Sequence, residues 1–416
     1  MIVFFNEKIS HSRMAYKQVF HRTLNYDPTT AQLREVDSVF SFIHFYLFIF
    51  LSLDRRSFMK IFSCQQCGQT VLFENTRCEQ CSSSLGFLPD QMVISALKSV
   101  DNTWYAMADK SVPAKRLYYC ENHQHQVCNW MVEEGGSTFC MACELNRHIP
   151  NLEKIEERQA WQQLEFAKHR LVYSLLRLGL PLVSKKSAPE DGLSFDFISE
   201  NNVVPEDVSA MTGHASGQVT INAAEGNSVD REQMREDMNE SYRTVIGHFR
   251  HEIGHYYWDP LVFDDEHVLA DFRALFGDDR ESYADALEAH YKAPNAEWQE
   301  SFISVYASSH PWEDWAETWA HYLHIADTLE TASDLGLSLQ PHGSNRENLA
   351  VMVNIDPYRH DNFDDILAQY LPLTFAVNNL NRGMGQPDLY PFILVPAVRE
   401  KLTFIHRLLR AYVEES

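Results

Sequence analysis

His251-Glu252-Ile253-Gly254-His255 reads H-E-x-x-H inside the run Tyr242 to Trp258, whose apolar spacing is that of a buried helix. Side chains four residues apart on a helix project from one face, so both imidazoles can reach a single zinc ion. Glu252 lies beside the first histidine, placed to take a proton from a water at that metal. A pattern with two free positions also arises by chance, and a helix with two surface histidines would carry it equally well. The reading therefore requires a third ligand elsewhere in the chain.

The chain has 416 residues, enough for two or three domains and a substantial core. Its 58 Asp and Glu against 35 Lys and Arg give a formal net charge of -23. Such a surface repels phosphate backbones, which argues against a nucleic-acid reader. The eight cysteines fall into two groups of four, and none follows Cys143. That grouping suits metal sites in a reducing compartment better than a disulfide framework, so a cytoplasmic location is expected.

Cys64-x-x-Cys67 and Cys78-x-x-Cys81 form two tight turns separated by ten residues. Four thiolates around one zinc leave no open position, so this site is expected to be structural. Cys120, Cys128, Cys140 and Cys143 predict a second such site, with His123 and His125 as spare ligands. Upstream, Val39 to Leu53 is a 15-residue apolar run followed by Arg55 and Arg56. A spanning helix needs about 20 apolar residues, and no small-residue cleavage site follows. Membrane association is therefore not expected unless that run is a genuine anchor. Met59 opens the ribbon sequence Met-Lys-Ile-Phe-Ser-Cys, and residues 1–58 are expected to be an overextended translation start.

Beyond the cysteines, Leu164, Leu171, Leu175 and Leu178 mark the apolar side of a helix over Leu152 to Leu178, ended by Gly179 and Pro181. Leu193 to Phe197 alternates like a strand with one buried face, and Val219 to Ile221 reads as another. Asp230, with Gln233 three residues on, suits a cap for the helical region entering the histidine motif. Asp264 to Ala296 is acidic and helix-prone; helical patterns return at Phe363 to Leu380 and Pro391 to Val413.

A third ligand is offered by the helix that opens at His310-Pro311, where Pro311 suits the first turn and the acids suit its positive end. Glu313 and Glu317 share a face of it. Either can complete a His2Glu set while the other holds a ligand histidine by its second ring nitrogen. His248, His321 and His324 are expected to lie off the metal.

The stretches CNWMV at Cys128 to Val132, HFRHEIGHYYWD at His248 to Asp259 and HPWEDWAETWAHYL at His310 to Leu323 carry a family resemblance. Met59 to roughly Ala332 resembles the bacterial zinc-binding metallopeptidases that carry an N-terminal zinc ribbon, and the paired motifs resemble those of gluzincins. The resemblance implies a zincin-like metallopeptidase domain. With the elements above, the chain reads as α+β, largely helical with a small sheet, behind a tandem zinc-ribbon module. The expected divisions are 1–58, an extension; 59–150, the ribbons; 151–340, the peptidase; and 341–416, a C-terminal helical region.

Zinc peptidases of the anthrax lethal factor type place a ligand Glu ahead of two aromatics, an Ala and a second acid, with a tyrosine seven residues upstream. Glu313, Trp315, Ala316, Glu317 and Tyr306 are similar in order, with Asp314 the departure at the first aromatic. That similarity implies Glu313 as ligand, Glu317 as the partner of a ligand histidine and Tyr306 as donor to the developing oxyanion. Glu317 as ligand is the other assignment. The implied activity is zinc-dependent hydrolysis of a peptide or protein substrate, with one catalytic zinc and two structural ones. The strand at Val219 to Ile221 is expected to pair with an extended peptide, and the ribbons to dock a protein partner. A non-catalytic zinc protein that serves as an interaction scaffold is the competing reading. Glu252, which has no structural duty in the motif, argues against it.

Overall fold

The computed structural model describes residues 61–199, 213–237, 244–343 and 347–415. The apolar run Val39 to Leu53 and the start at Met59 lie outside them. Among the described residues no helix is long and apolar enough to cross a membrane.

The chain begins with a short hairpin, β1 (Phe62–Ser63) and β2 (Thr70–Val71), that carries the first cysteine turn. A five-stranded antiparallel meander follows: β3 (Leu85–Leu88), β4 (Val93–Val100), β5 (Thr103–Ala106), β6 (Leu117–Tyr119) and β7 (Met131–Glu133). The strand β8 (Asn146–His148) then leaves the ribbon and joins a second sheet. Helix α1 (Ile155–Arg177) comes next, starting three residues later than expected.

The second sheet has the order β10-β11-β9-β8, from β9 (Ser194–Ile198), β10 (Gly213–Ala215) and β11 (Gln218–Asn222). Two expectations change here. β9 is buried on both faces: Lys168 and Phe249 pack on Phe195 and Phe197, and Asp196 pairs with Arg147 and His148. The region Val219 to Ile221 lies in β11, which is paired on both sides, so its backbone is not open to a peptide. Among the described residues β10 and β8 are the edges. Ser216 and Gly217 turn the β10–β11 hairpin with φ of 47° and 77°, the left-handed pair that a two-residue type I′ loop needs. A Cβ at Gly217 would also lie 2.2 Å from the Gly192 carbonyl oxygen.

A 3-10 turn, Ala223–Gly226, leads to α2 (Ser228–Asp237) and then α3 (Val245–Trp258), the helix of the H-E-x-x-H motif. Asp230 does not cap this region; it sits inside the first turn of α2. The cap of α3 is Thr244, whose hydroxyl accepts the Gly247 N–H at 3.0 Å. The acidic, helix-prone stretch Asp264 to Ala296 holds two helices, α4 (Glu266–Phe276) and α5 (Tyr283–Lys292). Gly277 at φ 111° ends the first, and the Ser282 hydroxyl caps the second. Long helix α6 (Pro311–Asp334) carries Glu313, with His310 accepting the Trp312 N–H as its cap. After the pair β12 (Ser338–Leu339) and β13 (Val351–Met352) come α7 (Phe363–Gly383) and α8 (Pro396–Glu415); α8 starts at Pro396 rather than Pro391.

What sets the site is the crossing of α3 and α6. Gly254 permits it, since a Cβ there would stand 3.1 Å from the Trp319 ring and 3.2 Å from the Ala316 Cα. Trp315 donates its indole N–H to the Gly254 carbonyl at 2.8 Å, which fixes the register of the two helices. The ribbon shares this core. Tyr173 of α1 packs its ring against Phe73 at 5.5 Å and Phe87 at 6.2 Å, and its hydroxyl donates to Glu330 of α6 at 3.2 Å.

Candidate metal centre

His251 and His255, one turn apart on α3, present their Nε2 atoms 3.2 Å from each other. Glu313 Oε2, from the first turn of α6, stands 2.9 Å from His251 Nε2 and 3.4 Å from His255 Nε2. Ligands held about 2.0 to 2.1 Å from a tetrahedral zinc are separated by roughly 3.3 Å, so the three atoms have the spacing of one coordination shell. Glu313 Oε2, His255 Nδ1 and Glu252 Oε2 are buried without a hydrogen-bond partner. Buried polar atoms are normally paired, and here two of the three belong to residues that converge on one point. Burial disfavours a charge on His251, yet Glu313 and Glu317 outweigh it and raise its pKa well above the ordinary value. The same two carboxylates give the pocket a negative character.

The two candidate carboxylates of α6 do different things. Glu313 meets both Nε2 atoms; Glu317 Oε1 accepts instead from His251 Nδ1 at 2.8 Å, and its Oε2 accepts from the Ser304 hydroxyl at 2.7 Å. Glu313 is held from outside by Tyr283 of α5, whose hydroxyl donates to Oε1 at 2.5 Å. His255 is held by packing, its ring centroid 4.0 Å from that of Trp312. Tyr306 lies beside His251, with ring centroids 5.9 Å apart. His214, on the edge strand β10, faces His255 at 6.2 Å; burial and the neighbouring His255 push its pKa down to about 4, so it is neutral at pH 7.

His248 lies outside the His251–His255–Glu313 cluster, but it is not idle. Its Nδ1 donates to Glu225 Oε2 at 2.8 Å and its Nε2 to Glu252 Oε1 at 3.1 Å, which needs both ring nitrogens protonated. Burial opposes that charge, but the two carboxylates win and raise the pKa of His248 to about 9. In turn burial works against ionised Glu252, and the hydrogen bond and charge of His248 override it, holding the carboxyl at about 2. One oxygen of Glu252 is thus anchored and the other is left for the pocket. Of the remaining histidines, His321 bonds the Tyr390 hydroxyl at 2.9 Å and His324 lies against Arg250.

The eight cysteines are all free and form two clusters, Cys64, Cys67, Cys78, Cys81 and Cys120, Cys128, Cys140, Cys143. Their close sulfur pairs are 3.6 Å for Cys64–Cys81 and Cys67–Cys78, and 3.7 Å for Cys128–Cys140. Disulfides would need about 2.05 Å, whereas sulfurs about 2.3 Å from a tetrahedral zinc are separated by roughly 3.7 Å. The spare histidines are engaged elsewhere: His123 donates to the Cys128 carbonyl and stacks on Tyr119, and His125 packs against Trp161.

Residues 157–408 match a family model described as "putative zinc-binding metallo-peptidase" and residues 61–154 match a zinc-ribbon domain. The chain belongs to that peptidase family. Uncharacterised proteins of Mycobacterium bovis and Mycobacterium tuberculosis are 40% identical over 352 residues, covering 84% of this chain and 94% of each relative. No solved structure matches. Family membership and the two cysteine clusters together support zinc binding. Within the family's segment, His248 with Glu225, Tyr283 and Ser304 join the motif residues at the centre. Only His248 left a trace in the sequence, four residues before Glu252 on the same helix.

Proposed function

We propose that this protein is a zinc-dependent peptidase of the gluzincin type, with His251, His255 and Glu313 holding the catalytic metal. A zinc ion there supplies Lewis acidity, which makes water acidic near neutral pH and polarises a carbonyl. Glu252 acts as general base: Oε1 is fixed by His248, and the free Oε2 takes the proton of the attacking water and returns it to the leaving amine. Glu317 orients His251 through Nδ1, as outer carboxylates do for ligand histidines. Tyr306 donates to the carbonyl oxygen as negative charge builds on it. An extended peptide pairs with the edge of β10, which brings His214 beside the scissile bond.

The observation that carries this reading is the buried, unpartnered oxygen of Glu252 next to a converged two-histidine, one-glutamate set. A scaffold protein has no use for such an oxygen. Glu252→Gln keeps the ligands and the side-chain volume, so zinc stays bound while hydrolysis of a casein-derived peptide mixture falls on the order of a hundredfold or more. Equal turnover by the variant and the parent protein contradicts the assignment.

A further inference from the structure

The two cysteine clusters differ in their surroundings. In the first, Cys67 and Cys81 are half-buried; in the second all four cysteines are buried, at 1% to 4% exposure. Four thiolates with one zinc leave two negative charges, and burying them requires compensation. Part of that compensation comes from α1, whose residues from 157 onward lie within the family's peptidase segment, although its Glu165 carboxylate also stands 3.8 Å from Cys143 Sγ. His169 Nε2 stands 3.6 Å from Cys143 Sγ and 3.9 Å from Cys140 Sγ, while its Nδ1 donates to the Glu165 carbonyl at 2.6 Å. Lys168, fully buried, pairs with Glu165 at 2.8 Å and bonds Asn146, the first residue of β8. Glu165 in turn accepts from Asn146 Nδ2 at 2.8 Å. Trp130 of the ribbon packs its ring on His169 at 5.3 Å.

From α1 two routes lead into the candidate centre. Ser174 donates to Asp327, which pairs with Arg250, the residue before His251. Gly226 sits against the Ala160 backbone so closely that a Cβ would lie 2.1 Å from its carbonyl oxygen, and the preceding residue, Glu225, holds His248 and through it Glu252. The sulfurs of the first cluster bond one another and Ser83, and its ties to the helices run through neighbouring residues instead, Glu74 to Arg170 of α1 and Ile61 to Asp334 of α6.

We propose that the second cysteine site is a metal clamp shared between the ribbon and α1, with His169 hydrogen-bonding its sulfurs, and that loading it is a condition for assembling the His251–His255–Glu313 centre. This rests on reading that triad as a metal centre. Zinc supply to the ribbon thereby controls the peptidase site, through a helix that both metals need in place. The first cysteine site does not share this control.

The test uses the full chain with zinc as the only added metal. Zinc per chain is counted by native mass spectrometry, a thiol-reactive dye reads the cysteine sites, and a His255→Ala background subtracts the peptidase zinc. His169→Asn retains all four cysteines; it should weaken the second site by roughly 10 to 100-fold. Under chelator, peptidase zinc should leave in step with reaction of Cys120, Cys128, Cys140 and Cys143. Cys143→Ser should lose both zincs or fail to fold, whereas Cys64→Ser should keep the peptidase zinc. The proposal is overturned if His169→Asn releases metal no faster than the parent chain. It also fails if Cys143→Ser folds and retains the peptidase zinc, or if Cys64→Ser loses it equally. If the parent chain holds no zinc at His255, the peptidase reading fails, while thiol reactivity and thermal stability of His169→Asn still report whether the clamp exists.

Discussion

At the scale of single residues, His251, Glu313 and Glu252 each turn one polar atom to the centre and give the other to an outer partner, whereas His255 is held by packing. His251 faces the metal position with Nε2 and Glu317 with Nδ1; Glu313 faces it with Oε2 and Tyr283 with Oε1; Glu252 offers Oε2 and gives Oε1 to His248. Outer partners of this kind typically govern affinity or activity by 10 to 100-fold. Replacing His248 with Gln removes the charge between Glu225 and Glu252, so turnover should fall roughly tenfold with zinc retained. A pH signature follows. The folded pKa of His248 is about 9 against an ordinary 6.5, so its contribution to stability is complete below pH 6.5 and is lost as pH rises through 9. The loss is on the order of 3 kcal/mol. Chemical denaturation across that window should show a shallower pH slope for His248→Gln, and an identical slope would count against the buried imidazolium. Apart from the four-residue step from His248 to Glu252, none of this could be read from spacing. Glu225 reaches His248 from a turn 23 residues earlier, and Tyr283 comes from a helix without a buried residue, so neither belongs to a periodic pattern.

Elements were more legible where a pattern crosses few turns. The helices around His251 and Glu313 show their apolar stripes and, in α6, a proline start, because local spacing and capping decide them. The break at Gly277 and the two-sided burial of β9 depend on what packs against them, which no local pattern records. Gly254 belongs to the same class: it is a free position of the motif, yet it sets how closely α3 and α6 approach. Because the ring of buried Trp319 and the Ala316 backbone cannot yield, Gly254→Ala should destabilise by about 1 to 3 kcal/mol despite the better helix propensity of alanine. Zinc affinity should drop with it, since His255 follows directly. Thermal unfolding and chelator competition measure both, and an unchanged or raised melting temperature would show that the helices can separate at no cost.

Across the whole molecule, the cysteine spacing announced two metal clusters but not that the ribbon is built into the peptidase core. Tyr173 is the joint, its ring in the ribbon's aromatic cluster and its hydroxyl on α6. Tyr173→Ala should cost about 3 to 5 kcal/mol and lower one cooperative transition that includes both parts. Two separate transitions, with only one of them shifted, would mean that the ribbon and the helices are independent. Burial across the boundary between ribbon and helices leaves no mark in either segment's pattern, so this joint was not legible in the sequence.

The claim at the centre of this account is that His251, His255 and Glu313 hold a metal distinct from those of the cysteines. Zinc per chain, counted by native mass spectrometry on the parent protein, Glu313→Ala and Glu317→Ala, tests it most directly. The account predicts three zincs for the parent, two for Glu313→Ala, and three for Glu317→Ala at saturating zinc with one of them held more weakly. Two zincs in the parent protein, or three in Glu313→Ala beside two in Glu317→Ala, would contradict it.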